Sequence, residues 1–141
     1  MPTALRISEA ASLALHATVL FLQNPGRPLQ TRAMAEAIQC SSAHLSKVLQ
    51  QMARAGFVAA VRGPKGGYLL ARSEKKLSLL AILEAMDGPV GEGGCLLSPP
   101  LCDGHECVFG ALSTEVTALV RKRLSETTVD ELKTRKRIPL P

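Results

Sequence analysis

Apolar positions along this chain fall into short periodic groups, separated by Pro, Gly and small polar residues. From Ser8 to Leu22 the stripe Leu13, Ala17, Leu20 and Phe21 repeats at helical spacing and predicts a helix. Asn24-Pro25-Gly26-Arg27-Pro28 ends it, because Pro and Gly continue a helix only at a cost. Thr31 reads as the N-cap of a short helix to about Gln39, with Met34, Ala35 and Ile38 inward. A tight break, Gln39-Cys40-Ser41, follows. Ser41 or Ser42 then caps a helix to about Ala55, whose apolar set is Leu45, Val48, Leu49 and Met52, and Gly56 suits its far end.

Downstream the period changes. Phe57 to Val61 and Tyr68 to Ala71 are short apolar runs on either side of Arg62-Gly63-Pro64-Lys65-Gly66-Gly67, the pattern of a β-hairpin. Ser78 caps a helix with Leu79, Ile82, Leu83 and Met86 on one face, stopped by Asp87-Gly88-Pro89. Residues from Pro89 to about His105 carry no periodicity, and a loop this long is usually functional or disordered. Helical spacing returns from Val108 to Leu124, where Phe109, Leu112, Val116 and Leu119 form a narrow seam suited to a second helix, such as one from another subunit. Thr128 to Leu132 reads as a short capped turn, and the basic tail Lys133 to Pro141 as loose.

Composition narrows the class. The 141 residues are 46% hydrophobic, enough for one domain with a core, or one domain plus an appendage. No apolar run approaches the roughly 20 residues of a membrane span, and the start shows no secretory pattern, so the expected location is cytoplasmic, away from membranes. The net charge of +5 is unevenly spread. Residues 1–72 hold eight basic and two acidic side chains, 73–110 two basic and six acidic, and 111–141 seven basic and four acidic. A basic front half suggests a polyanion partner.

Two short helices, a tight turn and a hairpin form the order of a winged helix-turn-helix. The expected fold is therefore mainly α with a small β-hairpin, followed by a long C-terminal dimerisation helix. Residues 1–88 would be the DNA-binding domain, 89–107 a cysteine-bearing sensor loop, and 108–141 the dimerisation helix and tail. A recognition helix needs short polar and basic residues opposite its apolar face. Here that face is Ala43, Ser46, Lys47, Gln50 and Arg54, with Ser42 at the start. Lys47 and Arg54 can neutralise phosphates; Ser42, Ser46 and Gln50 can read or position. Arg62 and Lys65 tip a glycine-rich wing that suits the minor groove. A plain helical hairpin with a solvated face shows the same pattern without the charged wing. No nucleophile stands at a recognisable spacing from a base, and no phosphate loop occurs, which argues against an enzyme.

Cys95, Cys102 and Cys107 crowd the aperiodic loop. In a reducing compartment such clusters are more often metal ligands or redox thiols than structural disulfides. Three soft thiolates suit an iron–sulfur cluster or zinc. Adding His105 would complete a Cys₃His zinc site, and two loop thiols could instead form a regulatory disulfide. Cys40, alone in the helix-turn-helix break, reads as a packing residue.

The stretch from Leu29 to Arg72, above all AGFVAAVRGPKGGYLLAR, closely resembles the IscR/NsrR (Rrf2) family of bacterial winged-helix transcription regulators. LLAILEAMDGP, the three loop cysteines and the Leu124 to Leu132 ending extend the resemblance over nearly the whole chain. It implies a homodimer whose long helices cross, and palindrome-like double-stranded operators read about one DNA turn apart. DNA contacts would fall on Ser41, Ser42, Ala43, His44, Ser46, Lys47, Arg62, Gly63 and Lys65. His44 stands where the family often has Tyr, and Ser46 where some members carry Glu, so the operator sequence is not carried over. The resemblance also implies that the cysteines hold an iron–sulfur cluster, 2Fe–2S or 4Fe–4S, which sets DNA affinity, most often as a repressor. Gly110 stands where some members supply a His ligand, and Ser12 where others supply an acid from the partner's first helix. His16, one turn beyond Ser12, matches the family's His variant and becomes the candidate fourth ligand, with Glu9 and His105 in reserve.

Overall fold

A computed structural model describes residues 7–71, 76–91, 95, 97, 99–100, 107–133 and 137–141. The chain folds as α1 (Glu9–Gln23), α2 (Thr31–Ile38), α3 (Ser42–Arg54), β1 (Val58–Val61), β2 (Gly67–Leu70), α4 (Leu79–Asp87) and α5 (Val108–Glu126), then a 3₁₀ turn (Val129–Leu132). Serine caps open three helices, because each Oγ accepts an otherwise unpaired N–H: Ser8 from Ala11, Ser41 from His44 and Ser78 from Ala81. Thr31 is not a cap but the first residue of α2. Gln30 holds the cap position without a side-chain bond, and α2 ends on Gln39 in the left-handed region.

α1 lies at the centre and packs on α2, α3, α4 and the 3₁₀ turn. Its Leu13, Ala17, Leu20 and Phe21 meet Met34, Leu45, Leu49, Met52 and Ile82 in one buried cluster. The small Ala11, Ala14 and Ala17 are buried beside these larger side chains, and they let neighbouring helices approach α1 closely at those positions. Thr18, buried within it, donates its hydroxyl hydrogen to the Ala14 carbonyl at 2.8 Å and so leaves no polar atom unpaired. β1 and β2 pair antiparallel with Val58 opposite Leu70 and Val61 opposite Gly67. β2 is bonded on its other edge as well: Leu29 and Tyr68 exchange two backbone hydrogen bonds at 2.7 and 2.9 Å.

Beyond α5 the chain returns to the core. Leu79 N donates to Thr127 O and Val129 N to Leu77 O, which buries Val129 completely. Thr128 and Glu131 cap the turn reciprocally. The tail departs from the loose segment expected of its composition. Ile138 and Leu140 pack against the core, and Ile138 N donates to Gln23 Oε1 at 3.0 Å. Two apolar side chains in an otherwise basic segment are enough to dock it. Among the described residues, no helix is long and apolar enough to cross a membrane.

Candidate nucleic-acid interface and cysteine loop

The outer face of α3 is set by its inner one. Burial of Leu45, Val48, Leu49 and Met52 turns Ser42, Ala43, Lys47, Gln50 and Arg54 to solvent, with His44 and Ser46 half-buried at the margin. Ser41 is exposed but its oxygen is already engaged as the helix cap, at 3.4 Å from His44 N. Gln50 Nε2 donates to Ser46 Oγ at 3.3 Å, which joins two of the polar positions along one stripe. His44 Nδ1 lies 3.8 Å from Glu9 Oε1, a contact between α3 and α1 that sequence spacing did not signal.

The wing follows α3 through β1, which packs on that helix. Arg62, Gly63 and Lys65 are all exposed on the β1–β2 turn, and Gly63 adopts φ +112°, a region that favours glycine. Gln30 Nε2 donates to Pro64 O at 3.3 Å and ties the turn to the start of α2. Gln30 has no counterpart among the residues singled out from sequence. Its signal is only its place before α2, and its partner lies 34 residues away. The structure thus brings the cationic wing, the α2 start and the polar α3 face onto one scaffold, with glycine at the tip where a backbone can come close to a ligand.

The cysteine loop is described in part. Cys102 and His105 lie outside the described residues. Cys95 and Cys107 are half-buried and outside any disulfide. Cys107 is the N-cap of α5: its sulfur accepts from Gly110 N at 3.2 Å and faces the positive end of a 19-residue helix. Cys95 Sγ accepts from Leu97 N at 3.5 Å. His16 is exposed on α1 with Nδ1 2.7 Å from Ser12 O. A carbonyl can only accept, so Nδ1 carries the hydrogen in this contact, which leaves Nε2 as the ring nitrogen that could meet a metal. Among the described residues, no three His, Cys, Asp or Glu side chains converge on one point. By donor chemistry alone, two thiols that each receive a backbone N–H, and an imidazole, are of the kind that a thiolate-bound group takes.

The loop's entry is braced. Glu84 Oε1, on α4, accepts from Val90 N at 3.0 Å and from Arg121 Nη1, on α5, at 3.1 Å. Arg121 Nη1 also donates to Val90 O. Both backbone groups of Val90 are therefore held between the helices that flank the loop.

A family model described as "Rrf2: Iron-dependent Transcriptional regulator" matches residues 7–135. A protein of Rhodopseudomonas palustris named BadM, described as an HTH-type transcriptional regulator, is 31% identical over 102 residues, 72% of this chain. The match spans 63% of that protein's length. The HTH-type transcriptional regulator IscR of Pectobacterium carotovorum is 27% identical over 111 residues, 79% of this chain and 68% of that protein. Among solved structures, CymR, the global cysteine regulator of B. subtilis, superposes with a TM-score of 0.79 at 22% identity, over 94% of this chain and 99% of that one. IscR of T. potens superposes with a TM-score of 0.72 at 22% identity, over 92% and 86%. These two likenesses bear on the fold, a winged helix-turn-helix with a long C-terminal helix.

Proposed function

We propose a function from one premise: the chain belongs to the Rrf2 family of transcription regulators, DNA-binding proteins and not enzymes. It acts as a homodimer in the cytoplasm and binds a double-stranded operator, as a repressor. The observation that carries this reading is the exposed polar face of α3 on the same scaffold as an exposed cationic wing that Gln30 ties to α2. Ser42, Ala43, His44, Ser46 and Gln50 face base edges, and Ser41 fixes the helix start. Lys47 and Arg54 take phosphates, which set register but read no sequence. Arg62 and Lys65 follow the minor groove, where Gly63 lets the backbone approach. Residues 1–88 serve as the reading head, 89–107 as the sensor loop, and 108–141 as dimerisation helix and tail.

Operator affinity in this reading answers to an iron–sulfur cluster held by Cys95, Cys102 and Cys107, with His16 contributed across the dimer. Support comes from the family's description as iron-dependent, from Cys95 and Cys107 with their N–H donors, and from the His16 ring held through Nδ1 on Ser12 O. When bound, such a cluster supplies a centre that reacts with oxidants and nitric oxide. The chain's own part is to fix the loop. Glu84 and Arg121 hold its entry and Cys107 holds its exit at the start of α5, so the loop's conformation bears directly on the dimerisation helix.

The test is anaerobic purification, with the visible spectrum, iron and sulfide measured beside a gel shift on a selected operator. A brown protein whose Cys102→Ala variant loses iron yet remains a folded dimer is the expected result. Unchanged iron and DNA response in that variant overturns the cluster, and stoichiometric zinc in a colourless protein replaces it with a zinc site. In the same assay Lys47→Gln weakens every duplex alike and lowers the salt slope by about 1 for each phosphate no longer neutralised.

A further inference from the structure

Three shallow grooves on the wing side meet at one residue. Arg27, in the turn between α1 and α2, lines all of them. One runs beside β2 to Lys133; the second, of about 620 Å³, passes Gln30 and Ala33 to Lys65 on the wing; the third follows the docked tail past Arg137. Together their described lining includes four cationic side chains, Arg27, Lys65, Lys133 and Arg137, and no carboxylate side chain. Lys133 is occupied by Asp130 at 2.9 Å. Among the described residues, no carboxylate pairs with the other three.

The backbone beside two of these cations is fixed. Arg27 sits between Gly26, at φ +71°, and Pro28, and its N–H closes a turn onto Asn24 O at 3.3 Å. Arg137 precedes Ile138, which is bonded to Gln23 and packed on the core. A row of like charges with no acidic side chain in its lining favours a polyanion laid along it. Lys65, on the wing, shares one groove with Arg27, and Arg27 shares another with Arg137.

We propose that Lys65, Arg27 and Arg137 form a phosphate track that grips duplex DNA outside the bases α3 reads. The proposal rests on the DNA-binding reading above and extends its footprint. The partner is the sugar–phosphate backbone flanking the operator, engaged without regard to sequence. The tail thereby becomes part of the DNA-binding surface, carried to it by Ile138 and Leu140.

The experiment uses the full chain and an operator it selects from a random duplex library. Two duplexes are compared: the selected sequence alone, and the same sequence with about ten base pairs of unselected DNA on each side. The double variant Arg27→Gln, Arg137→Gln binds the long duplex about tenfold or more weakly, with a salt slope lower by about 0.9 for each phosphate released from the track. On the short duplex it matches the unchanged protein, and Arg27→Lys with Arg137→Lys retains most of the long-duplex affinity. Equal affinity and slope on the long duplex overturn the track, as does an equal loss on both duplexes. An unchanged protein that selects no sequence and binds neither duplex overturns the DNA-binding reading itself.

Discussion

At the corner where α1, α2 and α3 meet, Cys40 shows what a single residue's surroundings decide. It is half-buried against the core, and burial pushes its thiol pKa up, with the Glu9 carboxylate adding to the rise. The folded chain therefore holds this proton to higher pH than the unfolded chain does. Below the ordinary thiol pKa, about 8.5, both states are protonated and the group leaves stability unchanged by pH. Above it the unfolded chain ionises first, and stability falls as pH climbs toward the folded value. Urea titrations from neutral pH into the alkaline range should show that decline, and the Cys40→Ala variant should show a shallower one. An identical pH dependence in both would mean that the thiol is as free to ionise in the fold as outside it. The packing role of Cys40 is legible from sequence, because the break it occupies lies between two apolar helical faces. Its neighbour Glu9 is not, since the contact of Glu9 with His44 spans 35 positions and depends on how α1 crosses α3.

Among the elements, the wing is the most exactingly built. Gly67 has φ +149°, and a Cβ there would stand 2.2 Å from the Leu29 carbonyl oxygen. That closeness is required because β2 pairs with β1 on one edge and with Leu29 on the other. Gly67→Ala costs about 1–3 kcal/mol in backbone strain alone, and the collision with Leu29 adds to it. The expected result is a lower denaturation midpoint and weaker DNA binding together, because Leu29 precedes Gln30, which holds the wing tip. Unchanged stability in this variant would show that the strand beside β2 can shift freely. The hairpin itself is legible in its apolar runs and glycine turn, and the caps Ser8, Ser41 and Ser78 in their positions ahead of periodic stretches. Leu29 is not, because a single bridging residue between Pro28 and Gln30 leaves no alternating pattern to read.

Over the whole molecule, charge and apolar surface divide the labour. The basic front half carries the exposed polar face of α3 and the wing, while the acid-rich stretch before α5 holds three of the four cysteines. The docking of the tail was hidden by its basic composition, since Ile138 and Leu140 alone make no periodic signal. The seam on α5 was visible, because Phe109, Leu112, Val116 and Leu119 repeat at 3, 4 and 3. In the single chain these side chains are 65%, 54%, 38% and 68% exposed, so the fold of one subunit makes little use of them. Apolar area left in water forgoes about 25 cal/mol per Å², and a matching seam from a second copy recovers it. Leu119→Glu places a charge in that seam without disturbing the core of the subunit. The unchanged protein should sediment as a dimer with a melting temperature that rises with protein concentration, because association stabilises the folded state by mass action. The variant should sediment at half the mass and melt at a temperature independent of concentration. Its affinity for a two-half-site operator should fall by about 100-fold or more, since each reading head then binds without the other's tether. A variant that stays dimeric would place the subunit contact elsewhere than on α5 and leave this stripe without a partner.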